Sequence, residues 1–106
     1  TKLDLSSNQI SEINEGIFKG LDSLTELKLS CNQISVLHKG SFEGLNFLTK
    51  LDLSGNNIEI VDKFDFKGLD NLTNVYLTSY NIDHIIKNYL KFMPENSPFR
   101  MLSYFI

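Results

Sequence analysis

Leucine, isoleucine and phenylalanine return along this chain every 24 residues. The segment from Leu3 to Ile34 overlays the segment from Leu27 to Ile58, with Asn8 on Asn32, Ile10 on Ile34 and Phe18 on Phe42. Three copies span residues 1–24, 25–48 and 49–72; a fourth, degenerate copy covers 73–96, and a partial one covers 97–106. Each full copy reads T-x-L-x-L-x-x-N-x-I and then, after a variable stretch, F-x-G-L-x-x-L. Internal repeats of this length mark stacked, solenoid-like folds. Leucines two apart, as at Leu3 and Leu5, have the spacing of a short strand with one buried face. The later apolar positions of each copy (10, 13, 18, 21 and 24) fit neither a strand nor a helix period. They fit a chain that bends back on itself, with its apolar side chains turned into one coil interior. A single coil cannot bury that interior. Stacked coils can, with their strands paired in parallel about 4.8 Å apart.

The recurrent asparagine belongs to this scheme. Where the chain turns out of the strand, backbone groups lose their ladder partners inside the coil. An amide side chain offers both donors and an acceptor. Asn8, Asn32 and Asn56 are therefore expected to form a ladder, each reaching backbone of its own or the next coil. In the fourth copy that offset holds Tyr80, so the ladder is expected to end at Asn56. Phe18, Phe42 and Phe66 are expected to stack as a spine, and Gly20, Gly44 and Gly68 to sit in tight bends with positive φ.

Composition narrows the chemistry. Hydrophobic residues make up 42% of the chain, as in an ordinary globular protein, and no apolar run is long enough to span a bilayer. The net charge of −3, with no basic run, argues against nucleic acid as a partner. The single cysteine, Cys31, allows neither an internal disulfide nor a cysteine metal cluster; it reads as a small residue at a strand edge or as a partly exposed thiol. His38 and His84 fall at different repeat offsets and read as surface histidines. With no phosphate loop, metalloprotease motif or metal-ligand cluster, no enzymatic activity, cofactor or metal is expected.

These spacings resemble leucine-rich repeats, closest to the 24-residue subclass frequent in ectodomains of the Toll-like receptor, Slit and hormone-receptor type. The resemblance is close over Thr1–Leu72 and loose over Thr73–Asn96. It implies an α/β repeat solenoid, a horseshoe arc with a short parallel sheet on its concave face and irregular or short helical convex arms. It also implies protein–protein recognition, a protein ligand or co-receptor, a signalling role and an extracellular or cell-surface glycoprotein parent. The cysteine-rich caps that flank such arrays outside cells are missing from this sequence. A structural spacer and an intracellular repeat protein stay open as alternatives.

On the implied concave face, positions 2, 4, 6 and 7 point outward. Charge alternates along Lys2, Glu26, Lys50 and along Asp4, Lys28, Asp52, and the fourth copy turns neutral and aromatic. Tyrosine is enriched at binding hot spots. Lys28, Asp52, Asn74, Tyr76 and Thr78 are therefore the expected contact residues. Asn71-Leu72-Thr73 is the one glycosylation sequon, in the turn entering the fourth strand. From Ile82 to Met93 the apolar spacing predicts a helix, N-capped by Asp83 and stopped by Pro94. After it, Phe99 and Met101 are expected at the buried strand sites and Ile106 at the site of Ile10. Thr1 falls directly inside a repeat, so the chain reads as a piece of a longer array. Its first coil is expected to expose Leu3, Leu5, Ile10 and Phe18, and the isolated piece to self-associate through its uncapped ends.

Overall fold

A computed structural model describes residues 1–58 and 68–77 and the backbone of residues 102–104. The elements are β1 (Lys2–Asp4), β2 (Glu12–Ile13), β3 (Glu26–Lys28), β4 (Val36–Leu37), β5 (Lys50–Asp52), β6 (Asn74–Leu77) and β7 (Leu102–Tyr104). β1, β3, β5, β6 and β7 form one parallel sheet in that order. Lys2, Glu26, Lys50 and Asn74 align across it, so one coil is one 24-residue step. Among the described residues the arms between strands are irregular, with no helix, and β2 pairs with β4 in a second, two-stranded parallel sheet. The apolar spacing did not foresee this second sheet. It arises because backbone bonding between coils continues past the asparagine turn, through Gln33 N–H to Ile10 O and Ser35 N–H to Ser11 O.

The core is the stack of repeat leucines. Leu27, Leu29, Leu51 and Leu53 are fully buried, as are Ile34, Leu45, Leu48 and Leu69. Burying one such side chain contributes about 1.5–3 kcal/mol. The Phe18 and Phe42 rings stack with centroids 6.1 Å apart and planes within 3°; Phe66 lies outside the described residues. Phe18 corrects an expectation: it is buried, not open on the first coil, because Phe42 covers it from one side and it belongs to the packed core. Leu3, Leu5 and Ile10 are partly buried against that core, whereas Ile17 and Leu21 are exposed. Gly20, Gly44 and Gly68 adopt φ of 95°, 97° and 93°, as the bends require.

The asparagine ladder forms, but it points the other way. Asn32 Nδ2 donates to Leu29 O and Ser30 O of its own coil and to Leu5 O of the preceding coil, while its Oδ1 accepts Asn8 N–H and Ile10 N–H. Asn56 repeats the arrangement one coil later, reaching back to Leu29 O and Ile34 N–H. Each amide therefore ties its coil to the one before, not the one after. Asn8 has no described coil in front of it; among the described residues its side chain bonds only Leu5 O and Ser6 O of its own coil, and it is exposed. The expected end of the ladder at Tyr80 lies outside the described residues, as do the helix from Ile82 to Met93 and the side chains of Phe99, Met101 and Ile106.

The last strand departs from the alignment. Val75 faces Leu102, not Phe99, so this step takes 27 residues instead of 24. Three is an odd shift, and a strand's side chains alternate with a period of two, so Leu102 and Tyr104, not Phe99 and Met101, stand opposite the buried Val75 and Leu77.

Candidate recognition face

The outward residues of the sheet form two rows. In the first, Glu26 lies between Lys2 and Lys50, with both ammonium groups 4.0 Å from its carboxylate, and its side chain is only 17% exposed. That row neutralises itself. In the second row Lys28 stands between Asp4 and Asp52, paired across the sheet in register, and Asp52 is followed by Tyr76. The aspartates are turned to local work. Asp4 Oδ1 accepts Ser6 N–H at 2.9 Å; Asp52 Oδ1 accepts Ser54 N–H at 2.9 Å and Ser54 O–H at 2.6 Å. Bonds from Ser6, first from its side chain and then from its backbone, hold the Asp4 carboxyl below its ordinary value, with a smaller contribution from Lys28. β1 and β5 thus each end in an Asx turn closed by the aspartate carboxylate. Among the described residues Lys28 has no ion pair within 4 Å.

Tyr76 is half-buried, flanked by Asp52 on β5 and by Ser103 on β7. Asn74 lies two residues away on the same face, with its Oδ1 accepting Thr73 O–H at 2.9 Å. The structure therefore brings Lys28, Asp52, Asn74 and Tyr76 onto one face, while Thr78 lies outside the described residues. Positions 2 and 4 do face outward, but Ser6, Ser30 and Ser54 are half-buried, with Ser30 O–H donating to Ser6 Oγ at 3.0 Å.

Two structural columns escaped the sequence reading. Thr25, Thr49 and Thr73 each donate from Oγ1 to the carbonyl of the threonine one coil earlier, at 3.0–3.1 Å. The signal was the recurring threonine that opens every copy. Position 7 is a left-handed turn, with φ of 59° at Ser7, 56° at Cys31 and 70° at Gly55. Cys31 is thus an exposed, free thiol on a left-handed backbone, and its Sγ lies 3.3 Å from where a β-carbon on Gly55 would stand. His38 is a surface histidine, and its Nε2 lies 3.2 Å from a Glu12 carboxylate oxygen, between the arms of neighbouring coils. Ser41 is fully buried, accepting His38 N–H and donating to Ile13 O. Among the described residues no group of three or more metal-ligating side chains occurs, and no helix is long and apolar enough to cross a membrane.

The leucine-rich repeat family model matches residues 1–58. This chain belongs to the leucine-rich repeat family. No curated protein sequence matches it. Among solved structures, this leucine-rich repeat chain is similar to the crystallised TLR13–ssRNA13 complex, at 33% identity and a TM-score of 0.72 over 86% of its length. It is also similar to the Toll–Spatzle complex of Drosophila, at 32% identity and a TM-score of 0.66 over 72% of its length. It spans only 13% and 10% of those two chains. The leucine-rich-repeat solenoid is thus the fold by sequence family and by structure alike.

Proposed function

We propose that this chain is a recognition segment of a receptor or adhesion ectodomain, and that it binds a protein ligand or co-receptor through its sheet face. Residues 1–106 form one leucine-rich-repeat array in this reading, and Lys28, Asp52, Asn74, Tyr76 and Thr78 supply the contact. The observation that carries it is the difference between the two rows. Glu26 neutralises Lys2 and Lys50, whereas among the described residues Lys28 keeps a cation unpaired within 4 Å, two strands from Tyr76. A partner carboxylate meeting Lys28, with Tyr76 as an aromatic anchor beside it, joins steering charge to a desolvated hot spot. Both solved relatives were captured as complexes, one with ssRNA and one with the protein Spatzle, which supports recognition as the role. The net charge of −3 and the engaged lysines favour a protein over RNA here.

The test is a binding screen of the chain, displayed within its parent protein, against arrayed secreted proteins and ectodomains, with a single-stranded RNA pool as a separate arm. A protein hit weakened by Lys28→Glu and Tyr76→Ala, but not by Glu43→Lys, at a residue outside the sheet strands and 4.0 Å from the Lys19 ammonium, is the expected result. A hit from RNA alone overturns the choice of partner. A protein hit indifferent to every sheet-face change makes these coils a spacer, and a parent found only inside cells overturns the ectodomain assignment.

A further inference from the structure

Phe47 is the most exposed large hydrophobic among the described residues, 60% open. It stands at the twenty-third position of its coil, where the coil before has Ser23 and the coil after has Asn71. Lys50 pairs with Asn74 across β5 and β6, so Phe47 and Asn71, each three residues earlier, occupy equivalent places on adjacent coils. The Asn71 amide leans back toward Phe47. Its Nδ2 donates to Asn46 O at 2.6 Å, and that carbonyl belongs to the peptide joining Asn46 to Phe47. Nδ2 carries two hydrogens. Asn46 engages one, and the other is free for substitution on an exposed side chain.

We propose that Asn71 carries an N-linked glycan whose first sugar lies on the ring of Phe47. The sequon Asn71-Leu72-Thr73 supplies the acceptor. In the transfer, Nδ2 bonds to the anomeric carbon of an oligosaccharide carried on a lipid pyrophosphate. The bond from that carbon to the pyrophosphate oxygen breaks, the lipid pyrophosphate leaves with the bonding pair, and one amide proton is lost. No oxidant or reductant takes part. The linked N-acetylglucosamine presents axial C–H bonds on one face, and an aromatic face is electron-rich. Packing the two covers an apolar ring that the protein leaves in water.

The fold also sets the order of events. Leu72 is buried, and the Thr73 hydroxyl is bound to Thr49 O at 3.1 Å and Asn74 Oδ1 at 2.9 Å. A transferase that reads the threonine hydroxyl in an extended peptide meets this sequon only before the third and fourth coils stack. Glycosylation therefore precedes folding, and the finished coil receives the sugar on Phe47.

The proposal rests on the ectodomain reading for the compartment in which it happens, so the experiment imposes that compartment. The full chain is sent through a eukaryotic secretory pathway behind a heterologous leader. Intact mass is taken before and after peptide N-glycosidase, on the secreted protein and on any pool retained in the cell. One glycan is expected, absent from Asn71→Gln. Thermal midpoints of glycosylated and enzymatically trimmed forms are then compared in the parent and in Phe47→Ser, which copies Ser23 of the first coil. The sugar should raise the midpoint in the parent by a few degrees and lose that effect in Phe47→Ser. The acetyl methyl resonance of the first sugar should move upfield in the parent alone, from the ring current. An unmodified Asn71 in this forced setting overturns the site while leaving the recognition reading standing. A glycan with the same effect in both backgrounds, and no upfield shift, overturns the role of Phe47.

Discussion

Replacing Asn32 by alanine tests the ladder most directly, and the structure says which groups would suffer. The three carbonyls that Asn32 Nδ2 serves all keep another donor. Leu5 O retains Asn8 Nδ2, Leu29 O retains Asn56 Nδ2, and Ser30 O retains Ser7 N–H. The two N–H groups that Oδ1 accepts, from Asn8 and Ile10, have no second acceptor among the described residues. Leaving a buried donor unpaired costs about 1–3 kcal/mol. These two sit at the partly open first coil, where water relieves some of the penalty, so the total should fall near ~2–4 kcal/mol. With a urea slope of about 1–3 kcal/mol per molar, the denaturation midpoint should drop by roughly 1–2 M. The assay is urea unfolding followed by circular dichroism, with two controls. Gln33→Ala removes an exposed side chain next door and should cost under about 0.5 kcal/mol. Asn8→Ala removes only bonds within its own coil, and should cost about 0.5–1.5 kcal/mol. Equal midpoints for Asn32→Ala and Gln33→Ala would refute the ladder as a stabilising device. Asn8→Ala as damaging as Asn32→Ala would refute its backward direction.

Gly44→Ala should lower the thermal midpoint more than Gly20→Ala: both φ lie near 95°, but only at Gly44 would the added β-carbon meet backbone, Lys19 Cα at 3.3 Å. Strain alone at a left-handed position costs about 1–2 kcal/mol, and equal losses would show that the contact relaxes freely. Phe42→Ala should cost about 3–5 kcal/mol in chemical denaturation, and Ile17→Ala, on an exposed side chain, close to nothing; similar values would contradict the stacked-ring core. The Asp4 carboxyl, titrated by NMR, should show a midpoint below 3.8 that rises in Ser6→Ala. Its folded value is depressed, so its contribution is present above the unfolded value and is lost as pH falls through the folded one. An unmoved midpoint in Ser6→Ala would exclude the serine as the main cause.

The period of 24, the buried leucines, the parallel sheet and the need for an amide at the turn were all legible in the sequence. A residue repeated at one offset must meet its own copy when identical coils stack, so periodicity carries both the core and its polar exceptions. Recurrence does not tell which neighbour a side chain chooses. Only the tertiary structure decided that Asn32 reaches back to Leu5 and not forward, because the direction depends on how each coil is offset against the last. The same holds for charge. Signs alternate in both rows, yet Glu26 pairs with two lysines while Asp4 and Asp52 turn to Ser6 and Ser54, and Lys28 has no ion pair among the described residues. An aspartate is short enough to close its own turn, and a glutamate is long enough to reach across strands. End effects were equally hidden: Phe18 is buried though its coil has no described predecessor, since one stacked ring and the arm around it suffice. The place of β7 was hidden too: the repeat alignment puts Phe99 opposite Val75, whereas backbone pairing puts Leu102 there, an odd shift of three that exchanges which residues of the strand share the buried register.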